Sequence, residues 1–300
     1  MESRRNFLKT SALFGGAMTL SCASAISNAN KGAKKSNHRF KISCAAYSYR
    51  KYLTKGKMTL DDFIDECVKL DIDAVELTSY YFPENITLEY LNHLKRITFL
   101  NGLDISGTAI ANNFCMPPGE KLDKEIAHVK KWIDYSADFT APSIRIFAGK
   151  VPEGVSEEQA IEWCADGIKR CLDHAEKRGV FLALENHHGL VARAATMKKI
   201  CDKVGKHPWF GVNLDTGNFY TEPYGDLRIM APYTITVQVK DSVMAPDGKT
   251  KMEADLKKVF DILREVDYRG YLVLEYEGEE DPMTGVPKWI NRLKKEAFKE

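Results

Sequence analysis

From Phe40 onward the chain repeats one rhythm: a short run of β-branched, aliphatic or aromatic residues, a polar turn, then ten or more residues whose apolar positions recur every three or four. Short apolar or alternating runs predict strands, and the three-and-four spacing predicts helices that pack by one face. Eight strand runs can be counted: KISCAAY from Lys41, DAVELTS from Asp73, LDISGTA from Leu103, SIRIFAG from Ser143, VFLALENH from Val180, WFGVNLDT from Trp209, TITVQVKD from Thr234 and YLVLEYE from Tyr271. Helical patterns such as TLDDFIDECVKL and ADLKKVFDILREV lie between them. Strict alternation of strand and helix predicts a parallel sheet, and eight repeats predict an α/β fold of the closed (β/α)8 TIM barrel type. An open doubly wound sheet is the runner-up, weakened because no G-x-G-x-x-G follows the first strand. No break in composition divides the repeats, so residues 40–300 are expected to form one domain.

Successive side chains on a strand point to opposite faces, so the apolar set that packs on the helices identifies the other set as inward. In FGVNLDTGN the apolar set is Phe210, Val212 and Leu214, which leaves Gly211, Asn213 and Asp215 facing the barrel interior. The same test turns Val273, Glu275 and Glu277 inward on the last strand, and Ala183, Glu185 and His187 on the fifth. On the seventh it turns Thr236, Gln238 and Lys240 inward. Glu76 on the second strand and Arg145 on the fourth land inside as well, and Tyr47 ends the first strand on its inward face. These polar residues come late in their strands, at the end of such a barrel where active sites are built.

The inward set holds Glu76, Glu185, Asp215, Glu275 and Glu277 against Arg145 and Lys240. Carboxylates crowded into a low-dielectric cavity must protonate, pair or hold a cation. A divalent metal fits best, with Glu185, Asp215, Gln238 and Glu275 as its expected ligands from four successive strands. Oxygen donors alone favour a hard ion, Mn²⁺ or Mg²⁺, ahead of Co²⁺ or Zn²⁺. Blander roles compete at several positions. Glu76 and Arg145 read equally as a buried ion pair or as substrate contacts, and His187 as a partner that orients a ligand carboxylate. Glu277, Lys240 and His188 could sit at the rim in water.

The 300 residues are 44% hydrophobic and 28% charged with a net charge of +1, which suits a large globular core and gives no sign of disorder in the bulk composition. The N-terminus stands apart. SRRNFLKTSALFGGAMTLSCASA has a charged start, an apolar middle and the small-residue end Ala23-Ser24-Ala25, the pattern of an export signal over residues 1–25. Ser3-Arg4-Arg5-Asn6-Phe7-Leu8-Lys9 resembles the twin-arginine motif, which implies a Tat-exported, periplasmic protein. Leu20-Ser21-Cys22 partly resembles a lipobox, but the Leu lies one place too close to the Cys. A soluble product is therefore favoured over a lipid anchor at Cys22.

Cleavage would remove three of the 43 basic and one of the 42 acidic residues, leaving a net charge of −1 and a poor nucleic-acid binder. The polar stretch 26–39 reads as a disordered tether. No later segment is long and apolar enough to predict a membrane span. The remaining cysteines form no C-x-x-C pair and read as buried thiols.

LALENHHG, GVNLDTGN, VQVKD and YLVLEYE together resemble the xylose-isomerase-like barrel family, the sugar phosphate isomerase/epimerase group that includes tagatose epimerases and endonuclease IV. The resemblance runs from SCAAYSYR to GYLVLEYEGEEDP, about the whole mature chain. It implies a single metal held by Glu, Asp, His and Glu from strands five to eight, which fall here on Glu185, Asp215, Gln238 and Glu275. Two positions depart from the family pattern: the His of H-V-K-D is Gln238, and the His that often follows the Asp by three is Asn218. Gln still offers one carbonyl oxygen.

The His losses, the export signal and the near-neutral charge count against an endonuclease, and export counts against phosphorylated substrates. The resemblance implies a sugar isomerase or epimerase, with Glu185 and Glu275 as general bases on opposite faces of the substrate. His187 and Lys240 would pass protons or bind hydroxyls, and Glu76, Arg145, Tyr47 and Glu277 would contact the sugar. Exported relatives acting on 3-keto-glycosides make β-elimination an alternative on the same site. A sugar-binding barrel without turnover is a second alternative, and a homo-oligomer is compatible with either.

Overall fold

The computed structural model describes residues 40–220 and 222–298. The expected signal over 1–25 and tether over 26–39 lie outside the described residues. Each predicted strand run forms a strand: β1 Lys41–Ala45, β2 Ala74–Thr78, β3 Asp104–Ala109, β4 Ser143–Ile146, β5 Phe181–Glu185, β6 Phe210–Asp215 and β7 Thr234–Val239. A short hairpin follows, β8 Ser242–Met244 and β9 Lys251–Glu253, and then the last barrel strand, β10 Tyr271–Leu274. The barrel is closed in the order β1-β10-β7-β6-β5-β4-β3-β2. Its pairs are parallel, and β1 meets β10 with Ser43 opposite Val273. This is the (β/α)8 TIM barrel the alternation predicts.

The helices are α1 Arg50–Leu53, α2 Leu60–Lys69, α3 Leu88–Leu100, α4 Glu120–Asp138, α5 Glu157–Arg178, α6 Ala194–Val204, α7 Pro223–Met230, α8 Leu256–Glu265 and α9 Pro282–Ala297. Their ends follow local chemistry. Thr59 and Asp62 form a reciprocal capping box at the start of α2, and Ser156 caps α5 through the amide of Gln159. Gly179 ends α5 in the left-handed region at φ 70°, where a side chain would be strained. The buried faces of these helices share one core with the barrel strands, and they also pack on the segments that flank the strands, as with Phe40 against Phe260 of α8 and Phe82 against Trp132 of α4. The described cysteines Cys44, Cys67, Cys115, Cys164, Cys171 and Cys201 are free and buried, and no described helix is long and apolar enough to cross a membrane.

Inside the barrel, small groups fill the end where the strands begin. Ser43 and Ser106 hydroxyls meet at 2.8 Å, and a Cβ on Gly107 would lie 2.7 Å from Ser143 Oγ. The charged residues collect at the other end. Two register shifts occur beside them, between Val75 and Glu76 against β3 and between Val212 and Asn213 against β7. Such irregularities re-aim the side chains that follow. The hairpin β8–β9 has no counterpart in the sequence pattern. Its turn carries Asp247 and Gly248, and Asp247 Oδ1 accepts from the amides of Lys249 and Thr250.

Candidate active site

The inward assignment brings the expected residues to one end of the barrel. Glu185 and Asp215 are the last residues of β5 and β6, Gln238 is next to last in β7, and Glu275 follows β10, its amide still bonded to Val239 O at 2.9 Å. Register places Asp215 opposite Gln238 and Glu185 opposite Asn213. Glu76, Arg145, Glu185, Asp215, Gln238, Lys240 and Glu275 are all buried, while Tyr47, His187 and Glu277 are partly exposed around them.

Two cations organise the carboxylates. Arg145 Nε lies 2.9 Å from Glu185 Oε2, while its Nη1 donates to Ile110 O at 3.1 Å and its Nη2 to Tyr80 Oη at 3.3 Å. Phe147 supports the guanidinium from one face, 4.0 Å from ring centroid to Cζ. Lys240 Nζ donates to Glu277 Oε1 at 2.8 Å and stands 3.0 Å from Glu275 Oε2 and 3.4 Å from Asp215 Oδ2. Asp215 Oδ2 and Glu275 Oε2 accept no hydrogen bond, so their contact with Lys240 is Coulombic and leaves lone pairs unused.

Amides hold the rest. Asn218 Nδ2 donates to Glu185 Oε1 at 3.0 Å, and the Gly217 amide donates to Asp215 Oδ1 at 2.8 Å. Asn213 Nδ2 donates to Gln238 Oε1 at 2.7 Å, and Gln238 Nε2 donates to Glu76 Oε1 at 3.1 Å. Asn186 exchanges two 2.8 Å bonds with the backbone of Asp215 and so ties the ends of β5 and β6.

Burial dominates the electrostatics. It pushes Asp215 up to about 7, with Lys240 opposing and Glu275 adding to the rise, and Glu76 to about 7, helped by Glu275. Glu185 lies well above the carboxylate range, because burial and its acidic neighbours outweigh Arg145. Burial opposes the charge on Lys240, yet Asp215, Glu275 and Glu277 raise its pKa well above the ordinary lysine value. Burial raises Glu277 as well, but Lys240 brings it below its usual value. His187 falls to about 3, through burial and then through His188, Arg145 and Lys240, and stays neutral.

The four expected metal ligands share one end of the barrel without closing on one point. Among the described residues no three His, Cys, Asp or Glu side chains stand close enough to hold an ion as placed. The reason is local: the oxygens of Glu185 turn to Arg145 and Asn218, and the carbonyl of Gln238 turns to Asn213. The donor chemistry nevertheless fits a hard divalent cation. All four side chains offer oxygen, the pocket holds more carboxylates than cations, and two buried carboxylate oxygens on β6 and after β10 lack hydrogen-bond partners.

His187 packs against Phe147 and His188 at 4.4 and 4.2 Å between centroids. The amide that orients Glu185 comes from Asn218, which the sequence marked only as a departure from the family pattern. Strand parity assigns no site role to Tyr80 or Asn186. Asn186 alternates outward on paper, but β5 ends at Glu185 and frees it to turn toward Asp215.

The architecture is shared with solved structures at low identity. A xylose isomerase domain protein from Planctomyces limnophilus superposes with a TM-score of 0.65 at 19% identity, over 87% of this chain and 98% of that one. A D-psicose 3-epimerase with D-tagatose from Clostridium cellulolyticum H10 gives 0.71 at 14% identity, over 87% and 100%. The IOLI protein with a bound zinc atom gives 0.70 at 17% identity, over 86% and 96%. At these identities the likeness carries the fold alone. No curated protein matches the sequence. The family model for the xylose isomerase-like TIM barrel matches residues 64–296, most of the barrel, and the chain belongs to that family.

Proposed function

We propose that the barrel is a metal-dependent enzyme of the sugar isomerase or epimerase type, which removes a proton from the carbon beside a carbonyl of an unphosphorylated keto sugar. The observation that carries this reading is the pair of buried, hydrogen-bond-free oxygens, Asp215 Oδ2 and Glu275 Oε2, in a pocket with surplus acid. The solved neighbours include sugar epimerases, which supports an enzyme of this class. A divalent ion held by Glu185, Asp215, Gln238 and Glu275, Mn²⁺ or Mg²⁺ from the hardness of the donors, would draw electron density from the carbonyl and so acidify the neighbouring C–H.

The chain's own residues supply the rest. β5 and β10 are separated by β6 and β7 around the circle, so Glu185 and Glu275 approach a substrate from different sides. Glu185 is buried and held in place by Arg145 and Asn218, which fixes its carboxylate as the candidate base on the β5 side. Lys240 carries a fixed positive charge beside Glu275, where the charge of an enediolate would develop. Neutral His187 packs on the Phe147 ring, which faces the Arg145 guanidinium, so these rings border the site on that side. Return of the proton to the opposite face gives an epimer, and return to the neighbouring carbon gives an isomer. The motif at residues 3–9 supports action in the periplasm, where free sugars rather than sugar phosphates are met.

The test is solvent exchange. The pure protein with Mn²⁺ and a panel of keto sugars in D₂O should introduce deuterium at the α-carbon, and Glu185→Gln and Glu275→Gln should each abolish it. Bound metal without deuterium in any sugar would leave a sugar-binding barrel as the better reading.

A further inference from the structure

Lys240 has one ammonium and three carboxylates around it, one from the end of β6 and two from the segment after β10. Its hydrogen bond goes to Glu277 Oε1 at 2.8 Å, while Glu275 Oε2 at 3.0 Å and Asp215 Oδ2 at 3.4 Å receive none. The lower part of the side chain has little choice of place. The Lys240 amide donates to Thr216 Oγ1 at 2.9 Å, and the stem runs so close to Gly217 that a Cβ there would lie 2.6 Å from Lys240 Cγ. Only the ammonium end is left to choose among the three acids, and the partner it takes decides which oxygens keep their lone pairs.

Glu277 is held in place to receive it. Its amide donates to Asp241 Oδ1 at 2.7 Å and its carbonyl accepts from Arg50 Nη2 at 3.4 Å, while Arg50 Nη1 donates to Tyr276 O at 2.7 Å. Lys251 of β9 stands 3.9 Å from Glu277 Oε2 and is exposed, so it competes weakly for this carboxylate. Glu277 is also the most accessible of the three acids, so its charge loses the least hydration. A hard divalent ion sits about 2.0–2.6 Å from carboxylate oxygens, a space it cannot share with an ammonium hydrogen-bonded to the same two oxygens.

We propose that Glu277 is a positioning residue: by taking the hydrogen bond of Lys240 it holds the ammonium off Asp215 Oδ2 and Glu275 Oε2 and reserves those two oxygens for a divalent cation. Without the Glu277 charge, the ammonium turns to Glu275 and Asp215 and competes with the ion. The inference rests on the divalent-ion reading above and assigns Glu277 a role toward that ion, exerted through Lys240.

Calorimetric titration of the EDTA-treated full chain with Mn²⁺ tests it without need of turnover. Glu277→Gln removes the charge that attracts the ammonium and should weaken Mn²⁺ binding about tenfold, within the coupling expected of groups in contact. Glu277→Asp keeps that charge and should stay within about threefold of the parent. Lys240→Met removes the competitor and should bind Mn²⁺ about tenfold more tightly than the parent, and the double variant with Glu277→Gln should match Lys240→Met. That cancellation separates positioning from two simpler effects: loss of a negative charge near the ion, or damage to the fold, would weaken binding on both backgrounds alike. If Lys240→Met is too unstable to titrate, the Mn²⁺-induced rise in its melting temperature, with and without Glu277→Gln, gives the same comparison. Equal weakening by Glu277→Gln on both backgrounds, no weakening in the parent, or weaker binding in Lys240→Met overturns the role of Glu277 alone. A parent that binds neither Mn²⁺ nor Mg²⁺ overturns it together with the divalent-ion reading.

Discussion

Lys240 Nζ stands 3.0 Å from Glu275 Oε2, yet that oxygen accepts no hydrogen bond. The ammonium is directed at Glu277, so it neutralises Glu275 and Asp215 by charge alone. Removing it leaves three acids without their main counter-charge. Lys240→Met should destabilise the metal-free protein by about 3–5 kcal/mol, the usual cost of stranding a buried charge, as read by urea unfolding at pH 8 in EDTA. α-Proton exchange should fall by about 100-fold or more. Unchanged stability would mean that the carboxylates are already protonated.

Arg145 and Glu185 form the second buried pair, with both side chains nearly inaccessible. The guanidinium also reaches Ile110 O and Tyr80 Oη, three directions that one lysine nitrogen cannot serve. Arg145→Met should cost about 3–5 kcal/mol, and Glu185→Gln on that background should recover much of the loss. A double-mutant cycle by denaturant unfolding checks this, and additive costs would show that the two groups do not couple.

Glu76 is predicted to reveal itself through pH. Burial raises it from 4.5 to about 7, so the folded protein binds its proton more tightly than the unfolded chain. The resulting stability is fully present below pH 4.5 and is lost as pH rises through about 7. Glu76→Gln keeps an acceptor for Gln238 Nε2 and never ionises. Its unfolding free energy in EDTA should therefore match the parent's near pH 4.5 and exceed it increasingly toward pH 8, by a difference on the order of 3 kcal/mol. A gap that is constant with pH would assign Glu76 an ordinary pKa.

Alternation along the strands makes the barrel and the inward set readable from the sequence. Asp215, Gln238 and Glu275 could be found because outward apolar partners flank each of them, and a parity argument needs nothing more. Parity says which face a side chain takes but not where its oxygens end. The turn of Gln238 toward Asn213 and Glu76, and of Glu185 toward Arg145 and Asn218, depends on neighbours on other strands. Asn186 was missed for a related reason: alternation ceases where a strand ends. Tyr80 sits in a turn, Ser79–Tyr81, where no periodicity assigns a face. The β8–β9 hairpin was hidden by three-residue strands, too short to give a pattern.

Gln238 is where the chain departs from its family and where metal binding is best tested. Its Oε1 accepts 2.7 Å from Asn213 Nδ2, and a carbonyl oxygen has a second lone pair to offer. If that lone pair meets the ion, Gln238→Leu should weaken Mn²⁺ binding by about tenfold or more in calorimetry after EDTA treatment. It should also cost about 1–3 kcal/mol in the metal-free protein, because Asn213 and Glu76 lose a buried partner. Gln238→His replaces oxygen with imidazole nitrogen and should move preference from Mg²⁺ toward Zn²⁺. Equal Mg²⁺ and Zn²⁺ affinities before and after both substitutions would remove Gln238 from the ligand set. If exchange of the sugar α-proton appears only in the His variant, the native chain is a binder that has lost its catalytic ion; if exchange is present in the native protein and lost with His, the amide oxygen is the working ligand.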